Sequence, residues 1–403
     1  MKDLTSRKSL LSMTVVIIFT GTILRIAGLG FISMDMKEFL LGWYDQIFHD
    51  GFSALGTDFS NYTPPYLYLL WLATKTHAWL PAATAIKLIS ILFDIGNAGL
   101  IFKILKIEYQ DNTIPLLGAA VFFTLPTIFL NSAWWGQADS IYTFFGIASL
   151  YFILKDRPFA AMLLFGIAFS IKLQAVFFTP LLLILVLKGR IAWGYTLIVP
   201  VSYSFMMIPA ALAGRPLIEL ATIYLMQADT YHRLTKNAPN LYQFISNDWY
   251  DTALIVGLGF TFILALVWAF GYARKIKFLT PNIIIICASA STMILPFFLP
   301  KMHERYFYPA ETTLLLLAFY TPRLWLLPYL SQLASIITYS IYLFPMLLTN
   351  RSGGNPAESG SRQLVFAALV NTVLIIYLFF EQYKMIGFQA TLLPSDPVSP
   401  TKN

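Results

Sequence analysis

The chain has 403 residues, of which 58% are hydrophobic and only 12% charged, against roughly 25% charged in an ordinary soluble domain. With a mean hydropathy of +0.68, a water-soluble globule is excluded. The net charge of +7, from 27 basic and 20 acidic residues, is spread in short clusters between apolar runs, which excludes a nucleic-acid-binding patch and points to membrane orientation instead.

Leu10 to Leu29, interrupted only by Arg25, approaches the roughly 20 residues that cross a hydrocarbon core as a helix. Lys2, Arg7 and Lys8 precede this run and no small-residue cleavage site follows it, so it is expected to be a retained first span with the amino terminus inside. A long extracytoplasmic segment from Gly30 to Thr84 comes next. Further spans are expected near 85–102, 114–131, 139–154, 159–171, 174–187, 191–213, 252–272, 281–299, 306–320, 324–348 and 363–380. A second long extracytoplasmic segment runs from Gly214 to Asp251.

The apolar runs are continuous rather than alternating, which rules out a strand barrel. The fold class is therefore an all-α polytopic membrane protein of about twelve spans, with both termini cytoplasmic. Residues 1–388 form a single transmembrane domain, and the tail 389–403, with Pro394, Pro397 and Pro400, is expected to be disordered. Lys103/Lys106, Lys155/Arg157, Lys188/Arg190, Arg274/Lys275/Lys277 and Arg323 sit in short links, which the positive-inside rule assigns to the cytoplasm. That assignment holds only if Pro64 to Leu80 does not cross the bilayer, so this stretch is expected to be interfacial or re-entrant. Loops as long as the two extracytoplasmic segments are usually functional or disordered, and their aromatic content argues against disorder. The single cysteine, Cys287, lies in an apolar run, so intrachain disulfides and cysteine metal sites are ruled out.

The ionisable residues sort strongly by side. Asp35, Glu38, Asp45, His49, Asp50, Asp58, His77, Asp139, Lys172, Asp229, His232, Arg233, Lys301, His303, Glu304 and Arg305 all fall outside or at the outer rim, so chemistry is expected there. Asp35 follows the first span directly, where a carboxylate meets both a lipid headgroup and a soluble acceptor. It suits a general base, with Glu38 one turn on as its rival and an interfacial acid marking the helix end as the simpler alternative. Trp134-Trp135-Gly136-Gln137-Ala138-Asp139 offers ring faces, an amide and a carboxylate to a sugar, although an aromatic belt explains the tryptophans nearly as well.

Lys172 and Gln174 interrupt an apolar stretch, and an ionisable group at membrane depth is a functional candidate. Asp94 lies seven residues after Lys87 and is expected to pair with it. In Lys301-Met302-His303-Glu304-Arg305-Tyr306, Arg305 can grip a phosphate by two parallel hydrogen bonds, Lys301 as a point charge and His303 by a further bond. Walker-type, Gly-x-Ser-x-Gly and His-Glu-x-x-His motifs do not occur, so nucleotide, serine-hydrolase and zincin readings lack support. No ligand pair has metal spacing, so no cofactor is expected, though folding that joined Asp35 to Asp139 would create a divalent-ion site. Asn61-Tyr62-Thr63 and Asn350-Arg351-Ser352 are glycosylation sequons only in a secretory pathway.

At these motifs the chain resembles the polytopic, lipid-phosphate-sugar-dependent glycosyltransferases of the GT-C superfamily, above all the bacterial relatives of the GPI-anchor second mannosyltransferase. Asp35 after the first span carries the resemblance, together with Asn61-Tyr62-Thr63-Pro64-Pro65-Tyr66, Trp135-Gly136-Gln137-Ala138-Asp139, Lys172-Leu173-Gln174 and His303-Glu304-Arg305-Tyr306. It covers nearly the whole membrane region.

The resemblance implies inverting transfer of a hexose, mannose first and glucose next, from a polyprenyl-phosphate donor to a glycan, lipid or protein acceptor at the cell membrane. Asp35 is implied as the base, with Glu38 able to share the role because a tight acidic pair is missing here. Lys301, His303, Arg305, Tyr306 and Lys172 are expected at the donor phosphate. Trp135, Gln137, Asp139, Gln174, Asp58 and Tyr62 are expected around sugar and acceptor. The alternative from another class is a transporter or flippase of a lipid-linked saccharide.

Overall fold

The structure is a computed structural model that describes residues 7–228, 232–344 and 361–391. Lys2, Asp229, the sequon at Asn350 and the tail beyond residue 391 lie outside the described residues. Continuous apolar sequence leaves the backbone no partner in lipid except itself, so it coils into helices. Among the described residues seven helices are long and apolar enough to cross a membrane, or eight if one bent pair counts as a single span. The chain is thus a helical polytopic membrane protein.

The first helix, α1 (Arg7–Gly28), leads into a π-helical turn (Met36–Leu40), α2 (Leu41–Asp50) and α3 (Pro64–Thr74). At eleven residues, α3 is about 17 Å long and too short for a roughly 30 Å hydrocarbon core. The chain then enters α4 (Ala82–Glu108) at the end of the bundle where it left α1, because Lys87 of α4 donates to the carbonyl of Gly28 at 2.7 Å and also to those of Leu29 and Phe31. Residues 29–81 therefore stay on one side.

Helix α5 (Thr113–Thr124) meets the helical segment Pro126–Trp135, which opens with α6 (Pro126–Phe129), at a bend of 55°, since Pro126 forces Leu125 out of helical backbone. A second π-helical turn, Leu130–Trp135, precedes α7 (Asp139–Leu154). Then come α8 (Pro158–Ile171), α9 (Thr179–Leu187), α10 (Ile198–Leu212) and α11 (Leu217–Ala228). The chain closes with α12 (Tyr250–Lys275), α13 (Pro281–Phe298), α14 (Tyr308–Tyr320), α15 (Leu326–Leu343) and α16 (Arg362–Thr391), so the expected tail is helical for its first three residues. Within the otherwise helical fold, two two-residue strands, β1 (Thr235–Lys236) and β2 (Met302–His303), pair in parallel and fasten the second long segment to the α13–α14 link.

Helices α13 and α14 are buried almost throughout, whereas Val15 and Phe19 of α1, Val201 and Phe205 of α10, and Ile255, Phe262 and Ile263 of α12 are exposed. An apolar rim around a buried centre is the surface a bilayer solvates. The basic links gather at the end opposite to Lys87: Arg190 pairs with Asp156, Arg323 with Glu381, Arg7 with Asp111, and Lys188 donates to the Ile276 carbonyl.

The expected Lys87–Asp94 pair does not form. Seven residues of helix separate the two by roughly 10 Å of rise, and Asp94 instead accepts from Arg25 at 2.7 Å, Ser132 at 2.6 Å and Tyr308 at 2.7 Å. Lys87 is spent on the carbonyls that follow α1, where a helix end carries partial negative charge.

Candidate active site

Asp35 stands at the start of the first π-helical turn, on the loop that Lys87 holds. Its carboxylate accepts three hydrogen bonds: from Trp135 Nε1 at 2.9 Å and Gln137 Nε2 at 2.7 Å, both on Oδ2, and from the Tyr342 hydroxyl on Oδ1 at 2.5 Å. The Trp135–Gln137 donors reach it because the second π-helical turn ends at Gly136 with φ +80°. The left-handed backbone favours glycine there, and a Cβ would also meet Met36 Cε at 2.4 Å, so that the methionine end would have to shift. A carboxylate offers about four lone-pair directions, which leaves one for a ligand hydroxyl.

A second polar layer lies beneath. Asp139 is fully buried, with Lys172 Nζ at 2.5 Å, Asn131 Nδ2 at 3.0 Å and Arg305 Nε at 3.6 Å. Lys172 is the extended residue that ends α8 and also faces the rings of Tyr62, Tyr142 and Tyr306. Arg305 lies over Trp135 and Tyr306 and meets His303 Nδ1 at 3.2 Å. Since a guanidinium only donates, His303 Nδ1 is the acceptor and its proton sits on Nε2. Burial, followed by the charges of Arg305, Lys236 and Lys172, holds the His303 pKa well below its ordinary range, so the ring is neutral. Burial likewise draws Lys236 down to about 8 and pushes Glu304 up to about 7.

Two cavities open at this end. The smaller, of 260 Å³, carries the carboxylates of Asp35, Glu38 and Glu304 together with Trp43, Gln137 and Tyr342. The larger, of 420 Å³, carries Lys172, Gln174, Lys301 and Tyr306 beside the apolar Ile171, Leu254, Leu258 and Leu299, with no carboxylate. Asn61, Tyr62, Arg233, Lys236, His303 and Arg305 line both. The cations thus form the wall between an acidic cavity and an apolar one that borders α12, whose neighbouring residue Ile255 is exposed.

Several expected site residues lie elsewhere than expected. Trp135 is wholly buried and lines neither cavity; it orients Asp35 instead of presenting a face to a sugar. Asp139 likewise lines neither, serving as counter-ion to Lys172 and Arg305. Asp58 is drawn away by the buried Arg215, because α11 starts beside it. Lys301, left-handed at φ +64°, donates to Tyr250 at 2.8 Å, so part of its donor capacity is already used.

The sequence alone does not mark Tyr342, Asn131, Arg233 or Lys236 as site residues. The only sequence signal for the last two was basic charge in the second long segment. No group of three or more His, Cys, Asp or Glu residues able to hold a metal ion occurs among the described residues, and Asp139 does not join Asp35 in one.

Comparison with models of known protein families finds none that matches this chain, and comparison with curated proteins finds no significant match.

Proposed function

We propose that the protein is an integral membrane glycosyltransferase of about twelve spans, which moves a hexose, mannose in the first place and glucose in the second, from a polyprenyl phosphate to an extracytoplasmic glycan, lipid or protein acceptor. The observation that carries this is the division of charge between two joined cavities: a carboxylate cavity, and an apolar cavity with a cationic wall shared between them. The gathering of the basic links at the opposite end supports an extracytoplasmic site under the positive-inside rule.

The chemistry follows from the charges. A lipid phosphate is a good leaving group, so one base for the acceptor hydroxyl suffices, where hydrolysis of an ordinary glycosidic bond needs two carboxyl groups. Arg305, Arg233 and Lys236 meet the phosphate and stabilise the charge that grows on it as the anomeric bond breaks. The lipid chain leaves past Leu254 and Leu258. Asp35 takes the acceptor proton, and in-line attack inverts the anomeric centre. Trp135, Gln137 and Tyr342 hold the base in place, and Asp139 holds Lys172 and Arg305.

Transport or flipping of a lipid-linked saccharide, the alternative, needs polar groups that reach both ends of the bundle, and those of these two cavities belong to one. Purified protein incubated with a panel of polyprenyl-phosphate sugars and simple methyl glycosides as acceptors is expected to release free lipid phosphate with at least one of them. Binding without release across the panel would refute transfer.

A further inference from the structure

The smaller cavity holds more carboxylates than base catalysis needs. Asp35 accounts for one; Glu38 and Glu304 remain. Glu304 is 2% exposed and lines this cavity alone. Besides its own backbone N–H, it feels the charges of Arg305, at 3.9 Å, and of Lys236. With no hydrogen bond from another side chain among the described residues, this carboxyl on the cavity wall has acceptor capacity to offer a ligand.

Trp43 stands in the aromatic wall of the same cavity with Phe39, Tyr62 and Tyr342, and Trp135 does not. Trp43 stands on α2, fixed by Phe39 at 6.1 Å and Tyr62 at 5.2 Å between ring centroids, and it is 8% exposed. The amide of Asn61 adds a further polar group, while that of Gln137 is engaged by Asp35 and Tyr62. The cations that border this cavity, Arg233, Lys236 and Arg305, also border the larger one, where the proposed donor phosphate engages them. With a donor bound, what remains facing an acceptor is acidic.

We propose that the acceptor is a sugar bearing no negative charge, seated in the smaller cavity with its apolar ring face on Trp43 and its hydroxyls on Glu38, Glu304 and Asn61. This deepens the transfer function above and rests on it for the word acceptor; the sugar site itself stands on the cavity. A phosphate- or uronate-bearing sugar is rejected because it would bring a further anion against Glu38 and Asp35 in a cavity partly shielded from water. Stacking on an indole face supplies affinity without demanding one stereochemistry, while the carboxyls read hydroxyl positions.

The test uses the full chain in lipid nanodiscs loaded with a polyprenyl-phosphate sugar, and saturation-transfer NMR with methyl α-mannoside, methyl α-glucoside and methyl glucuronide as probes. A neutral glycoside is expected to bind, and the glucuronide about tenfold more weakly or worse. Trp43→Leu is expected to lose about tenfold in glycoside affinity, and Trp43→Phe to retain most of it. Glu38→Gln with Glu304→Gln is expected to reduce the bias against the glucuronide, with Asp35 supplying what remains.

Equal binding of the glucuronide, binding of no neutral glycoside, or full binding by Trp43→Leu overturns the proposal. If the Trp43 variants do not fold, the glucuronide comparison decides. Glycoside binding in a protein that takes up no polyprenyl-phosphate sugar would sink the transfer function and leave the sugar site. Donor turnover without glycoside binding would sink the site alone.

Discussion

Replacing Asp35 by asparagine separates catalysis from binding, and the geometry says why the fold survives. Trp135 and Gln137 both donate to Oδ2, and Tyr342 donates to Oδ1. An asparagine with its carbonyl at the Oδ2 position keeps the first two, and its NH₂ can donate to the Tyr342 hydroxyl, which is also an acceptor. Each contact falls from charge-assisted to neutral strength, about 1 kcal/mol apiece, partly offset because a charge is no longer taken out of water.

Turnover is another matter. Loss of a general base is worth roughly 10²- to 10⁴-fold, or about 3 to 5.5 kcal/mol of barrier. Lipid-phosphate-sugar binding and single-turnover release of lipid phosphate, measured separately, should show near-normal binding and lost transfer. Arg305→Ala should instead weaken donor binding, by roughly 10- to 150-fold for about 1.5 to 3 kcal/mol. Near-normal transfer by Asp35→Asn with a dead Glu38→Gln would make Glu38 the base. Transfer retained in all three variants would refute an active site at this end of the bundle.

Three further outcomes follow from the same geometry. Asp139→Asn leaves Lys172 and Arg305 buried without their anion and is expected to cost about 3 to 5 kcal/mol, read as a lowered melting temperature, with Asp139→Asn/Lys172→Met recovering part of it; equal melting of single and double variants would remove the ion pair from the account. Glu304 has its pKa raised from 4.5 to about 7 by burial, so its penalty is absent below 4.5, grows as pH rises, and is complete above 7 at about 3 kcal/mol. Glu304→Gln should therefore stabilise the protein at pH 8 and change little at pH 4.5, and a pH-independent difference would contradict that sign. Single cysteines at Thr57 and Thr84, set against the buried Cys287, are expected to be labelled by an impermeant thiol reagent from the same side. Labelling from opposite sides would overturn the topology.

Hydrophobicity and charge are local properties, and they made the membrane character, the existence of nearly every helix and the clustering of basic links legible in the sequence. The short α3 was legible too, because charge bookkeeping along the chain leaves it no room to cross, and the structure returns the chain to the end it left. The motifs around Asp35, Lys172 and Arg305 stood out because ionisable groups beside hydrocarbon are costly.

What each polar group touches was decided only in three dimensions. Asp35 meets Tyr342 across 307 positions of sequence, on a helix whose tyrosines carry no mark that distinguishes one from another. Trp135 turned inward because a π-helical turn that ends in a left-handed glycine rotates its side chain away from regular helical spacing. Lys87 and Asp94, predicted as partners, each found another because helices packing side by side offer closer groups than two turns of the same helix can.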